Sequence, residues 1–288
     1  MLFQAVVSGI TAGSVYALVA LAFVLLYKGT RVVNFGEGEQ VMLGGYLVLL
    51  LNTFAGLPFW LAVVLALALA GGFGVLIERL VIRRIVDSPP LTKIIAMLAI
   101  GLILREGARS LLGANAYPFP FLLSPAPVHV AGVLVTPANA AIVAVSLAVM
   151  VVFYLFFRYA RLGKALRAAC ENRVAASLMG ISVPFVSAAI WALASVLAAV
   201  AGILLAPVVT LTPDMGLVAI KGWVAAVVGG FTSLPGAVVG GVLIGVIETV
   251  TGSYLSTALK DGITYLLLIA ILIARPSGLL ERRAVKKV

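Results

Sequence analysis

The sequence predicts an all-α fold, a polytopic bundle of about eight transmembrane helices with discontinuous or re-entrant segments. Hydrophobic residues make up 63% of the 288-residue chain and charged residues only 10%, whereas soluble domains carry roughly a quarter of charged residues. Apolar runs repeatedly approach or exceed the ~17 to 25 residues that a helix needs to cross the hydrocarbon core. Few residues remain for an extramembrane domain. Residues 1–288 are therefore interpreted as one transmembrane domain, and a soluble multidomain enzyme is excluded.

The predicted spans follow the apolar runs along the chain. Runs bounded by charge, Pro or Asn lie at about 5–27, 39–52, 58–78, 91–112, 138–157, 185–207, 217–251 and 262–274. The first run lacks a basic leader and a cleavage signature, so it is expected to be retained as a span. The seventh run is too long for one crossing, and its glycines and Pro235 predict either one span with a re-entrant piece or two crossings.

The distribution of basic residues predicts the orientation. Lys and Arg cluster in residues 79–93, in residues 158–173 and in the C-terminal tail, whereas residues 111–135 and 208–220 contain none. Because cytoplasmic loops are enriched in basic residues, the N-terminus is expected outside and the C-terminus in the cytoplasm. An external loop is then expected at about 111–137. The net charge of +10 fits loops that face lipid headgroups, so a nucleic-acid partner is not expected.

Catalytic and metal chemistry find little support in the sequence. The single cysteine, Cys170, and the single histidine, His129, exclude an internal disulfide, a histidine-rich metal site and a Ser/His/Asp triad. Asp214, Glu248 and Asp261 form no recognisable carboxylate pair of the kind an intramembrane protease needs. No catalytic residue and no metal site are predicted.

The first segment that indicates function is residues 28–46. Here Asn34, Glu37 and Glu39 directly precede an apolar run. Two interpretations remain open: a solvated cytoplasmic turn, or a span that begins as a broken helix with its polar entry in a water-filled pathway. The following apolar run is short for a full crossing, which favours the broken helix.

The second such segment is residues 217–251. Its core, GGFTSLPGAVVGG, contains Gly229, Gly230, Pro235 and Gly236. Pro with closely spaced glycines is typical of discontinuous membrane helices that expose backbone groups to a solute. Lys221 and Glu248 flank this core and are expected either to pair inside the bundle or to reach the interface. At the outer end of the fourth span, Arg105, Glu106 and Arg109 are expected to form a local ion pair.

The third segment, residues 158–184, is longer than a simple connector. Alanines and leucine after Gly163 favour a short helix with a basic face, and Gly180 and Pro184 end it. Such a helix either rests on anionic headgroups or docks a soluble partner.

Four blocks of sequence resemble the LivH-type permease subunits of bacterial branched-chain amino acid ABC importers, and the resemblance runs nearly end to end. The blocks are GSVYAL at 13–18, NFGEGEQVMLGGY at 34–46, GKALRAACENRVAASLMGI at 163–181 and KGWVAAVVGGFTSLPGAVVGGVLIGVIE at 221–248. The resemblance implies an inner-membrane transport subunit that pairs with a second permease as a heterodimer. It also implies two cytoplasmic ATPases and a periplasmic binding protein as partners.

The resemblance further implies that residues 158–184 contact the ATPases. The contact candidates are Gly163, Lys164, Arg167, Glu171, Asn172, Ala175 and Gly180. The translocation-pathway candidates are Asn34, Glu37, Glu39, Gly229, Gly230, Pro235, Gly236 and Glu248. Since the chain lacks a GxxxxGK[ST] loop, no cofactor is expected on it, and ATP and Mg are assigned to the partner ATPases.

One departure from the family pattern concerns the solute. The family usually reads NFAHGE where this chain reads NFGEGE, so Glu37 stands in place of a histidine. Branched-chain or other amino acids are the expected solutes, with urea or short amides as the alternative. A secondary carrier that works without ATP is the other transport class left open.

Overall fold

The computed structural model describes residues 2–119, 128–130 and 133–280. The predicted external loop at 111–137 falls partly on residues 120–127 and 131–132, which lie outside the described residues, as do the basic residues beyond 280. Eleven α-helices are described: α1 Leu2–Thr30, α2 Glu37–Leu49, α3 Phe59–Leu80, α4 Pro90–Leu112, α5 Pro137–Tyr159, α6 Arg161–Glu171, α7 Arg173–Leu178, α8 Val183–Val209, α9 Val218–Gly229, α10 Leu234–Tyr254 and α11 Lys260–Ala274.

Short elements connect or extend these helices. A π-helical turn, Leu50–Phe54, continues α2, and 3₁₀ turns lie at Ile82–Arg84 and Pro213–Leu217. A hairpin of β1, Val128–Val130, and β2, Val133–Val135, pairs antiparallel within the predicted external loop. The all-α class is confirmed, with this small hairpin as an addition that the sequence pattern did not predict.

The helices match the predicted apolar runs to within a few residues. Among the described residues, five helices are long and apolar enough to cross a membrane, namely α1, α3, α5, α8 and α10. The predicted run at 217–251 is divided into the antiparallel helices α9 and α10, which is the two-helix alternative. Helices α2, α4, α9 and α11 are shorter or more charged, and together with the five they give nine candidate segments. An outer N-terminus and a cytoplasmic C-terminus require an odd number of crossings, which nine supply and eight do not. The number of crossings and their orientation stay predictions.

Helix α1 forms the centre of the bundle and packs on α10, α8, α9 and α5. Its contact with α10 depends on small residues, because a Cβ added to Gly245 would overlap the Cα of Gly13. Between α8 and α2, a Cβ added to Gly202 would overlap the carbonyl oxygen of Val41. In lipid, burial of apolar surface alone does not favour helix association. Close backbone contact of this kind stabilises the bundle through van der Waals packing.

Candidate functional site

Helix α2 begins inside the bundle. The chain leaves α1 at Thr30, turns at Arg31, which has a φ of +57°, and enters α2 at Glu37. The 13 residues of α2 and the five of the π-helical turn that continues it give about 27 Å of helix, close to the ~30 Å hydrocarbon core. Residues 31–36 between α1 and α2 are not helical, so the second predicted span has the non-helical entry of a broken helix.

Two glycines allow this helix start to sit between neighbouring elements. A Cβ added to Gly36 would lie 2.8 Å from the carbonyl oxygen of Met97 in α4. A Cβ added to Gly38 would overlap the carbonyl oxygen of Gly216 in the 3₁₀ turn. Any larger residue at either position would push the start of α2 away from these backbones.

The polar residues at this helix start are buried rather than solvated. Glu37 is 0% exposed and Asn34 is 1% exposed. The Asn34 amide donates to Glu37 Oε2 over 2.7 Å, and Asn34 Oδ1 accepts from the Gly36 N–H. The other oxygen of Glu37 is buried without a hydrogen-bond partner among the described residues. The interpretation as a solvated cytoplasmic turn is therefore wrong for these side chains.

The second carboxylate of this start, Glu39, forms an ion pair with a distant residue. Arg105 Nη2 in α4 lies 2.6 Å from Glu39 Oε1, and the pair is largely buried. The expected local ion pair is confirmed for Arg109 and Glu106, at 3.0 Å, but it is wrong for Arg105. An Arg within an apolar helix run is itself a signal for such a partner, because an isolated charge is costly in lipid.

A second ion network lies where α9, α10 and α11 meet. Lys221 contacts both Glu248 and Asp261, and Lys260 lies 3.4 Å from Glu248. The network lines a cavity of 670 Å³, which also contacts Tyr16 of α1. Of the two expectations for Lys221 and Glu248, pairing inside the bundle is the one that the structure supports.

The glycine-rich candidates lie elsewhere, at the turn between α9 and α10. Gly230, with a φ of +112°, ends α9, and the backbones of Gly229 and Gly236 touch. Pro235 lies in the first turn of α10. None of these four residues lines the 670 Å³ cavity or the 390 Å³ cavity next to Glu39. The cavities therefore separate these four residues from Glu39 and Glu248, whereas Asn34 and Glu37 line neither cavity.

The segment predicted to contact a partner forms two short helices, α6 and α7. Gly163, Leu166 and Ala169 are buried against the bundle. Lys164, Arg167 and Glu171 lie on the exposed face of α6. A Cβ added to Gly163 would overlap the carbonyl oxygen of Phe156, so Gly163 fixes the approach of α6 to α5 and its backbone is turned away from a partner. Helix α6 is amphipathic, with one face free.

Helix α7 is capped at both ends. Asn172 accepts at its N-terminus from the Ala175 N–H over 3.0 Å. At its C-terminus Gly180 has a φ of +80°, and the Ile181 N–H donates to the Ala176 carbonyl, as in a Schellman motif. A six-residue helix with both ends capped therefore projects from the bundle.

The exposed face of α7 is unusually apolar. Leu178 and Met179 are each 82% exposed and Val174 is 70% exposed. The neighbouring candidates Asn172, Ala175 and Gly180 are also exposed. Burial raises the pKa of the nearby Cys170 thiol, so this cysteine is a poor nucleophile at neutral pH.

The chain was compared with known families and proteins. The model of a family described as the permease component of branched-chain amino acid transport systems matches residues 5–272. The high-affinity branched-chain amino acid transport system permease protein LivH is 33% identical in both Salmonella typhimurium and Escherichia coli K12, over 99% of this chain and 97% of each relative. The permease protein BraD of Pseudomonas aeruginosa is 31% identical over 99% of this chain and 97% of its own length. The solved structures yielded no significant match.

Proposed function

Because the chain belongs to the family of branched-chain amino acid transport permeases, we propose that it carries branched-chain or other amino acids into a bacterial cell as the membrane subunit of an ATP-driven importer. A permease of this family is a transport subunit and not an enzyme. In the proposed complex the chain pairs with a second permease as a heterodimer in the inner membrane. Two cytoplasmic ATPases bind ATP and Mg, and a periplasmic binding protein delivers the solute.

The observation that carries the proposal is the projecting element α6–α7. Its apolar residues, Val174, Leu178 and Met179, are highly exposed, and so are the basic residues Lys164 and Arg167 of the preceding helix. An exposed apolar patch rimmed by charge is typical of a protein interaction site. The caps at both ends of α7 hold this patch in one conformation, so it is presented as a fixed surface. The patch therefore supports docking into an ATPase groove.

The pathway is proposed to pass the broken start of α2. Intramembrane charges usually face a bundle interior or a water-filled cavity, and the Glu39–Arg105 pair meets a cavity at this point. The Lys221–Glu248 network lines the larger cavity, which lies next to it. Both cavities share Leu217 and Ile220 as lining residues, so the two polar regions adjoin across the start of α9.

Two alternatives remain as candidate functions. Glu37 in place of the family histidine keeps urea or short amides open as solutes. A secondary carrier would need no ATPase and would leave the apolar face of α7 without a role.

Co-purification tests the proposed assembly. The tagged chain is expressed with its neighbouring genes and purified in mild detergent, and the bound proteins are identified by mass spectrometry. A second permease and two ATPases are expected. Replacing Leu178 and Met179 by Ser should remove the ATPases and leave the second permease bound, whereas recovery of the chain alone would contradict the proposal.

A further inference from the structure

A small cavity lies directly against the start of α2. It has a volume of 390 Å³, within the ~300 to 1,000 Å³ of small-molecule sites. Most of its wall is apolar and includes Phe23, Phe35, Leu98, Leu102 and Trp223. Its two charged lining residues are Glu39 and Arg105.

The charged residues in this wall have hydrogen-bonding capacity left over. Arg105 uses Nη2 on Glu39, whereas its Nε–H is buried and has no acceptor among the described residues. A guanidinium offers five N–H donors and a carboxylate about four lone pairs, so one mutual bond leaves both groups incomplete. An unmade hydrogen bond in a buried place costs free energy, which a ligand with matching groups regains.

The cavity opens at the surface of the protein. Phe35 is 39% exposed and Leu102 is 56% exposed, whereas the carboxylate of Glu39 is buried where a Cβ added to Gly101 would lie 2.9 Å from Oε2. A solute that enters here meets the apolar rim first and the ion pair behind it. A charged pair that faced lipid would raise the free energy of the folded protein. We therefore expect the cavity to adjoin an aqueous route.

From this geometry we infer that the cavity is a transit site for a zwitterionic amino acid with an apolar side chain. The solute carboxylate binds the free N–H donors of Arg105, and its ammonium group binds Glu39. Its side chain packs among Phe35, Leu102 and Trp223. The inference rests on the proposed function and adds the residues that recognise the two charges. It also excludes urea as the preferred solute, since urea has neither charge.

The polar cavity around Lys221 is a weaker candidate for this role. Its two lysines contact Glu248 and Asp261, and its buried atom without a hydrogen-bond partner among the described residues, Glu248 Oε2, can only accept and so offers no donor to a solute carboxylate. Its larger volume and further polar residues, such as Ser8 and Asn139, suit a hydrated vestibule better than a fitted site.

The test separates recognition of a solute from a structural ion pair. The full importer is reconstituted in proteoliposomes with saturating binding protein, and initial uptake of radiolabelled leucine is measured. Glu39→Gln together with Arg105→Gln removes both charges and leaves no unpaired buried charge. The double variant is expected to co-purify with its partners but to transport leucine about tenfold or more slowly. Uptake at the wild-type rate would overturn the inference.

Two further variants keep the test decisive. Arg109→Gln removes an exposed charge one turn further along α4 and is the matched control, expected at the wild-type rate. Leu102→Trp fills the rim and should slow leucine about tenfold more than alanine; equal effects on the two solutes would overturn the inference even if the double variant did not assemble. If the wild-type complex moved no amino acid with ATP, the proposed function itself would be contradicted. Normal transport by every variant would contradict only the assignment of this cavity as the transit site.

Discussion

Arg173 at the start of α7 donates a hydrogen bond to the carbonyl oxygen of Gly29 in the last turn of α1, over 2.7 Å. A basic group at a helix C-terminus is favourable because the last carbonyls carry partial negative charge. The residues after Gly29 lead directly through Arg31 to the broken start of α2 at Glu37. The projecting element α6–α7 is thereby connected to the polar helix start by one side chain and a short stretch of backbone.

Arg173→Gln is expected to weaken this connection. The variant should still assemble, but the number of solutes moved per ATP hydrolysed should fall roughly fivefold to tenfold, because a charged hydrogen bond is lost. Uptake and ATP hydrolysis are measured together in proteoliposomes. Arg161→Gln, an exposed charge on α6, is the control and should keep the wild-type ratio. An unchanged ratio in Arg173→Gln would show that this hydrogen bond does not couple ATP hydrolysis to transport.

Gly180→Val is expected to disturb the end of α7. A β-branched residue at a φ of +80° costs roughly 1 to 2 kcal/mol, although a Cβ there would meet nothing within 4 Å. The cost therefore acts on the turn and not on packing. ATPase binding to the purified permease pair should weaken about tenfold by titration. Gly180→Asn, which tolerates this conformation, should bind almost normally, and equal binding by both variants would refute the role of the turn.

The helix pattern could be predicted from apolar runs because each run of this length has one favourable solution in lipid. The partner of Arg105 could not, since Glu39 lies on another helix and only the tertiary fold brings the two together. The role of Gly236 was also beyond the sequence. The same Gly-rich pattern describes a broken helix and a close helix contact, and the structure shows the contact for Gly236, Gly241 and Gly245.

The broken start of α2, by contrast, could be predicted in part from the sequence. The shortness of the run after Glu39 favoured a broken helix, and the structure has the non-helical entry at residues 31–36, although α2 and the π-helical turn together reach Phe54. The burial of Glu37 depends on Gly36 and Gly38 approaching α4 and the 3₁₀ turn, which no local pattern records. Exposure of Leu178 and Met179 was likewise hidden, because an apolar residue in a short helix is more often buried.

Two glycines of α3 offer a matched test of the packing. A Cβ added to Gly74 would approach the Trp191 carbonyl of α8 and Ser195 Oγ, whereas one added to Gly72 meets nothing within 4 Å. Gly74→Val should lower the free energy of unfolding by roughly 1 to 3 kcal/mol more than Gly72→Val. Thermal unfolding of the purified chain in detergent measures the difference. Equal melting temperatures would contradict the observed α3–α8 contact.

The predicted orientation can be tested by cysteine labelling. In a Cys170→Ser background, Asn115→Cys places a thiol in the predicted external loop and Lys164→Cys places one on α6, both at exposed positions. A membrane-impermeant maleimide should label the first variant in spheroplasts and the second only in inverted vesicles, because basic loops stay inside. The reverse labelling would invert the topology and move α6–α7 away from any cytoplasmic ATPase.

The central claim, an amino acid permease driven by partner ATPases, is tested most directly by solute uptake in proteoliposomes that contain the purified complex and the binding protein. With ATP inside the liposomes and no ion gradient, leucine is expected to accumulate against its concentration gradient, and a non-hydrolysable ATP analogue should abolish accumulation. Accumulation by the chain alone, driven by a proton or sodium gradient without ATP, would contradict the account.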